Sequence, residues 1–257
     1  MQVQKFKLNE NSKIKYVLAV VSGKGGVGKS LTSSLIATHL NKLGLRVGIL
    51  DCDLTGPSIP EIFGLEDLAK GTEKELYPNV TDTGIQIMSM NLLLPNKTDP
   101  VIWRGPVLMN VLSDFYTKIN WGELDVLILD MPPGTGDVPL TIYQSYRVDG
   151  VIVVSTPSKM ANVAVDKAVE MALRLNQNLL GEVQNMAYYR CKNCGEKEYL
   201  FGHYDERLDL KRIAEIPFDT DIGRAVDSGE IEFLEIYEYF ELAKYLQKII
   251  EEEKAGE

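Results

Sequence analysis

The sequence predicts an α/β fold, a single doubly wound domain built on a mostly parallel sheet. Three observations carry that prediction. Gly23 to Ser30, GKGGVGKS, fits the phosphate-binding pattern G-x-x-x-x-G-K-[ST] and lies between the apolar run Tyr16 to Val21 and a helical pattern. Asp125 to Asp130 is a continuous apolar run ending in an acid, the mark of a central strand buried on both faces. Gly150 to Ser155, GVIVVS, is another such run, again with a helical pattern after it. At 257 residues, 45% hydrophobic and 25% charged, the chain has the length for one sizeable domain of this kind.

Residues 1 to 14 are expected to form an arm or an edge element, and the domain proper to run from 15 to 257. The first strand covers about 15 to 22. A helix follows from Leu31 to Leu43, with Leu31, Leu35, Ile36 and Leu40 on one face and Gly44 as the stop signal. His39 on this helix reads as a surface or packing residue, not a ligand. Arg46 to Leu50 is the next strand and enters the acidic turn DCDLTGPS at 51 to 58, in which Cys52 is expected to be a small core residue. Residues 62 to 100 are richer in Gly, Pro and charge, with a short strand near 85 to 90. VIWRGP at 101 to 106 precedes a helix through about Lys118. Met131 to Asp137, MPPGTGD, is a tight loop, a helix spans about 163 to 175, and Gly181 to Met186 is a strand that ends at Asn185. From Glu232 to Glu253, Leu234, Tyr237, Phe240, Tyr245, Leu246 and Ile249 fall at helical spacing, predicting a core-covering helix with a solvated acidic tail.

In the glycine-rich stretch, Gly23, Lys24, Gly25, Gly26, Val27, Gly28, Lys29 and Ser30 are the candidate phosphate cradle. Glycines let backbone N–H groups turn inward onto an anion, and the following helix adds its positive end. Lys29 is expected to reach the β- and γ-phosphates of ATP, and the Ser30 hydroxyl to bind Mg²⁺. Asp51 and Asp53 end a neighbouring strand, where open α/β sheets place ligand chemistry. Asp53 is the candidate for ordering the attacking water, and Asp51 for a Mg²⁺ contact through its water shell. Either aspartate can instead cap the next helix, Asp51 the more so. Asp130 occupies the position of a second Mg²⁺ carboxylate. Gly134 can offer a backbone N–H to the γ-phosphate, unless its loop is simply a rigid turn.

Cys191-Lys-Asn-Cys194-Gly195 is a second chemical centre. A single C-x-x-C supplies two ligands, whereas closed zinc and iron-sulfur sites usually need four, and His203 would add only a third. A two-fold dimer solves the count by bringing the same pair from each copy to one axis. Sulfur ligands alone leave structural Zn²⁺, a redox dithiol and a cluster all open.

The combination KGGVGKS, DCDLTGPSIP, WRGP, the strand ending in Asp130 and MPPGTGDVPLT resembles the Mrp/ApbC family of P-loop ATPases. The resemblance covers about 16 to 227. It implies a deviant Walker A fold and a nucleotide-gated homodimer in which Lys24 crosses to the partner's phosphates. It also implies a [4Fe-4S] cluster held by Cys191 and Cys194 of both copies and passed to apo iron-sulfur client proteins. By position in the family, Asn185 is expected at the adenine edge, with Pro217 and Phe218 against the base. Glu182 and Gln184 depart from the residue types usual in that strand. The alternative reading is a nucleotide-switched positioning or partner-binding ATPase stapled by Zn²⁺.

Net charge is −10, from 27 basic and 37 acidic residues, which argues against nucleic acid or an anionic membrane as partner. The polar opening MQVQKFKLNENSK and the lack of a membrane-length apolar run lead to an expected cytoplasmic location.

Overall fold

The computed structural model describes residues 5–94, 105–202 and 210–254. In chain order the elements are β1 (Lys13–Ser22), α1 (Lys29–Lys42), β2 (Val47–Asp51), α2 (Ile59–Ile62), β3 (Lys70–Gly71), β4 (Leu76–Tyr77), β5 (Asn79–Val80) and β6 (Gln86–Met88). They continue with α3 (Gly105–Lys118), β7 (Glu123–Asp130), α4 (Asp137–Ser145), β8 (Gly150–Ser155), α5 (Lys159–Arg174), β9 (Leu179–Arg190), β10 (Lys197–Glu198), β11 (Arg212–Pro217), α6 (Thr220–Asp227) and α7 (Tyr237–Lys254).

The main sheet runs β10-β9-β8-β1-β7-β2-β6-β5, with β11 also paired to β9. Every pairing among β1, β2, β6, β7, β8, β9 and β11 is parallel, and only β5 and β10 join antiparallel. Such strands are covered on both faces, which is why they read as unbroken apolar runs. Successive residues still alternate between two cores. Tyr16, Leu18 and Val20 of β1 join Val126, Ile128, Ile152 and Val154 beneath α1 and α7. Val17, Ala19 and Val21 face the other way, with Leu127, Leu129, Val151 and Val153, toward α3, α4 and α5.

The chain leaves β1 for β2 on one side and returns to β8 on the other, with β7 next to β1. The carboxyl ends of β1, β7 and β2 therefore frame the crevice in which doubly wound sheets bind ligands. Register places Asp51 directly beside Asp130 across the β2–β7 pair.

Helix α1 ends as the sequence predicts. Gly44 takes φ +88°, its N–H bonds to the Asn41 carbonyl, and the Leu45 N–H bonds to the Leu40 carbonyl, the paired closure of a Schellman turn. The expected single apolar face is too narrow, because α1 is buried at every position from Thr32 to Leu40 under α7, and Leu31 is only half-buried. His39 is a packing residue: Nδ1–H donates to the Leu35 carbonyl at 2.8 Å and Nε2 accepts the Ile236 N–H at 3.1 Å.

Several boundaries and one face differ from expectation. β1 starts two residues early, and residues 6 to 12 lie against the domain through bonds from the Phe6 and Asn9 N–H groups to the Ser145 and Tyr116 carbonyls. Helix α4 follows the MPPGTGD loop directly, and α5 starts at Lys159. β9 does not end at Asn185 but continues to Arg190, with Met186 in the left-handed region at φ +53°. In α7 the buried stripe is Tyr239, Leu242, Ala243, Leu246 and Ile250, so Tyr237 and Phe240 lie outside it. The reason is phase: positions 239, 242, 243, 246 and 250 hold the i, i+3, i+4, i+7 pattern, whereas 237 and 240 fall on the solvent side. Glu182 is buried beside its cross-strand neighbour Arg212 at 3.3 Å, which explains how a charged residue occupies that strand. Trp103, Arg104 and His203 lie outside the described residues.

Candidate nucleotide site and thiol pair

The glycine-rich loop is shaped by two close approaches. A Cβ on Gly23 would stand 2.1 Å from the backbone of Ala164 in α5, and one on Gly28 would stand 2.2 Å from the Asn185 amide nitrogen. Gly28 also takes φ +83°, which an L side chain rarely adopts. It forms the left-handed entry to α1, leaving the first N–H groups of that helix turned toward the loop. Gly23, Lys24, Gly25, Gly26, Val27, Gly28, Lys29 and Ser30 thus form one continuous bend. Lys24, Gly25 and Gly26 are on its exposed rim, and Val27 and Lys29 are buried.

Beneath the loop, Asp130 is fully buried and held from three sides. Lys29 Nζ lies 2.7 Å from Oδ2, Ser30 Oγ donates to Oδ2 at 2.7 Å, and Ser33 Oγ donates to Oδ1 at 2.7 Å. A buried pair of this kind needs such added donors to offset its desolvation. Ser33 was not among the residues the sequence pointed to, although it lies one helical turn beyond Lys29 and so shares its face.

Asp51 is buried beside this cluster. Its Oδ2 accepts the Ser58 and Ile59 N–H groups at 3.1 and 3.3 Å and the Ser89 hydroxyl, and its Oδ1 accepts the Asp53 N–H. It therefore meets the N–H groups that open α2 from across the turn, although the N-cap residue of that helix is Ser58 and not Asp51. Burial, then the neighbouring charge of Asp130, push its carboxyl up to about 8, against the opposing pull of Lys29 and of the N–H groups it accepts. Asp53 is half-buried, and its Oδ1 accepts the Thr55 hydroxyl and the Gly56 N–H, an Asx turn that fixes the carboxylate. The Gly134 N–H bonds to the Ser22 carbonyl at 2.9 Å, which ties the MPPGTGD loop to the end of β1.

Asn185 is buried under the P-loop. One amide hydrogen donates to the Val27 carbonyl at 2.9 Å. It opens onto a cavity of about 540 Å³ lined by Leu31, Met186, Pro217, Phe218, Ile222 and Arg224, among others. The structure therefore brings Asn185, Pro217 and Phe218 together, on the side of the loop away from Asp130.

Cys191 and Cys194 are set apart from this cluster, on the turn between β9 and β10. The turn is closed by Gly195 N–H to Cys191 carbonyl and Cys191 N–H to Glu196 carbonyl bonds at 2.8 and 2.9 Å. Cys191 is half-buried and Cys194 exposed. N–H groups of Cys194 and Asn193 point at the Cys191 sulfur and hold its thiol below the ordinary range. Among the described residues no group of three or more His, Cys, Asp or Glu is placed to hold a metal ion. Nor, among those residues, is any helix long and apolar enough to cross a membrane.

Three comparisons bear on this arrangement. The family model described as NUBPL iron-transfer P-loop NTPase, of the ParA group, matches residues 13–253. The chain is 42% identical over 232 residues to an iron-sulfur cluster carrier protein of Clostridium perfringens, covering 85% of this chain and 81% of that one. A nucleotide-binding protein of Archaeoglobus fulgidus, solved in complex with ADP and found to contain cobalt, is 41% identical. It superposes with a TM-score of 0.77 over 88% of this chain and 91% of its own. The cell division ATPase MinD of Pyrococcus furiosus, 19% identical with a TM-score of 0.62 over 91% of this chain and 99% of its own, shares the fold.

Proposed function

This chain belongs to the Mrp/ApbC family of iron-transfer P-loop NTPases, and on that premise we propose that it hydrolyses ATP as a homodimer and carries a [4Fe-4S] cluster to apo client proteins. The cluster would lie on the dimer axis, held by Cys191 and Cys194 of both copies, and the carrier would work in the cytoplasm. One observation supports this reading above the others. A phosphate cradle and a thiol pair lie on the same framework, with Asn185 on β9 and Cys191 six residues on, in the turn that directly follows that strand.

In the proposed mechanism the phosphates enter the bend from Gly23 to Ser30, where inward N–H groups and the start of α1 meet their charge. Lys29 then exchanges Asp130 for phosphate oxygens. The hard oxygens of Ser30 and Asp130, with Asp51 alongside, fit Mg²⁺, which would neutralise charge on the phosphates. Asp53, its carboxylate already oriented, holds the attacking water. The Gly134 N–H leaves the Ser22 carbonyl to meet the γ-phosphate and returns once that phosphate departs, so its loop reads the nucleotide state. Lys24, on the exposed rim, reaches the phosphates of the partner copy. The base sits between Asn185 and the Pro217–Phe218 corner.

The test is anaerobic reconstitution with iron and sulfide, followed by metal and sulfide analysis. We expect about four irons and four sulfides per dimer, the content of one cubane unit. The Cys191→Ala/Cys194→Ala variant should retain none while still binding ADP. Zinc without sulfide in the wild type would replace the carrier reading with that of a zinc-stapled ATPase switch.

A further inference from the structure

The base cavity and the thiol hairpin share a wall. Pro217, Phe218, Asp219 and Thr220 line the base cavity, and the same four residues line a second cavity of about 430 Å³ whose opposite side is Cys191, Lys192 and Gly195. Glu238, at the start of α7, lines the second cavity too.

Specific bonds join these surfaces. The Phe218 N–H donates to the Tyr188 carbonyl at 2.7 Å, so the wall cannot shift without β9 following it. The Tyr188 hydroxyl donates to Glu238 at 2.5 Å, and Arg190 donates to the same carboxylate oxygen at 2.8 Å. Lys197, on β10, stands 4.1 Å over the Tyr188 ring. β9 thus meets Glu238 directly, and β10 is tied to it only through the Tyr188 ring. The helix that carries Glu238 is fixed to the core by Tyr239, Leu242 and Leu246, so the carboxylate is a stationary post.

Between the base cavity and this post, β9 is irregular. Its ladder with β11 pairs Gln184 with Glu215 and Tyr188 with Pro217, so Asn185, Met186 and Ala187 face Ile216 alone and β9 carries two extra residues there. Met186 there takes φ +53°, a left-handed conformation costly for a side chain that is not glycine, and it lines the base cavity. A strained joint thus faces one site while its continuation carries the other.

We propose that Glu238 is a positioning residue through which the base cavity sets the geometry of the Cys191–Cys194 hairpin within a single protomer. This deepens the function proposed above, since it takes the first cavity as the base site and the hairpin as the metal-binding end. An occupant of the base cavity bears on Phe218 and Met186, and the Tyr188–Glu238–Arg190 bonds convert that load into a fixed hairpin instead of a loose one. Coupling of this kind operates without the partner copy, and by linkage it runs in both directions.

Hydrogen exchange read by mass spectrometry, with ADP as the probe and Lys24→Ala as background to remove the contact across the dimer, tests the proposal. ADP should slow exchange in the peptides spanning 187–199 by about fivefold, a typical size for such coupling. Glu238→Gln, which keeps an acceptor for Tyr188, should preserve most of that effect. Glu238→Ala should abolish it while ADP still protects residues 216–224, the check that nucleotide is bound. If Glu238→Ala speeds hairpin exchange by the same factor with and without ADP, Glu238 is only a structural support and the proposal is overturned. If ADP never changes hairpin exchange, it is overturned as well. Failure of the carrier reading is separate: a wild-type protein that retains no sulfide can still show ADP-dependent protection that needs Glu238.

Discussion

At the phosphate end of the sheet, charged side chains are buried and internally paired, with Asp130 held by Lys29, Ser30 and Ser33. At the thiol end, two cysteines stand on an exposed turn with no third ligand among the described residues. Cysteine itself shows the contrast. Cys52, buried between the two aspartates, has its thiol pushed well above the ordinary range by burial. Cys191, on the turn, is held below it by N–H groups of Cys194 and Asn193. Burial makes a thiol inert, whereas exposure beside N–H groups makes it a ligand. A buried cluster whose charges find their partners inside one chain can be built in advance. A thiol pair that lacks further ligands within the described residues stays half-built and open.

The comparison breaks most sharply if the two ends depend on the same residues. Lys24→Ala should lower ATP hydrolysis by about 10³, the scale of a cation supplied in trans. ADP affinity and iron loading should stay within about twofold, since Lys24 lies on the rim and far along the chain from the thiols. Steady-state phosphate release and metal analysis on one preparation decide it, and equal losses in both would mean one site instead of two.

Internal pairing at the phosphate end has a cost when one partner is removed. Lys29→Ala should destabilise the nucleotide-free protein by about 3 kcal/mol, because it strands the buried Asp130 charge. Adding Asp130→Asn should return part of that loss. Urea unfolding of the single and double variants measures the coupling, and no recovery in the double variant would show that Ser30 and Ser33 already satisfy Asp130. The matching thiol variants, Cys191→Ala and Cys194→Ala, should change stability by only about 0.5 kcal/mol, as exposed substitutions do.

A smaller effect is expected from Gly23→Ala, whose added methyl meets the α5 backbone. Overpacking of this type costs about 2 kcal/mol. The same loop displacement should weaken ADP binding and leave iron loading unchanged, by calorimetry and metal analysis.

A purely pH-dependent effect concerns His39, whose pKa is lowered by burial. Burial keeps the native ring neutral, against the opposing pull of the Leu35 carbonyl. As pH falls below about 6.5 the unfolded chain takes up a proton that the native ring refuses, so stability drops by at most about 1.4 kcal/mol per unit until the native pKa is reached. Above pH 6.5 this contribution is constant. Unfolding midpoints at pH 7.5, 6 and 5, compared with His39→Gln, isolate it. The stability margin of the wild type over the variant should shrink toward acid, and a constant margin would show that the ring is not the titrating group.

The framework was legible because its signals are backbone rules. Continuous apolar runs announce strands covered on both faces, Gly44 announces the end of α1, and the glycine spacing announces a loop around an anion. Phase and partnership were less legible. Tyr237 and Phe240 fit a helical spacing as well as Tyr239 and Leu242 do, and only the docking of α7 on α1 selects between them. The bonds of Asp51 to the start of α2 and the burial of Glu182 depend on α2 and Arg212 lying beside them, which no local pattern encodes. β9 seemed to stop at Asn185 because a left-handed methionine inside a strand has no sequence signature. The thiol pair was visible as C-x-x-C, but a half-site and a complete pair of redox thiols are written identically.

The pairing of Lys29 with Asp130 has a consequence for turnover. An emptied P-loop does not wait with a bare buried charge, since its lysine already has a counter-ion at 2.7 Å. In the proposed mechanism each arriving nucleotide would displace that internal competitor, and each departing one would be replaced by it. On that mechanism affinity would be traded for exchange: product would leave without stranding a buried charge, and the fold would keep its counter-ion between loads.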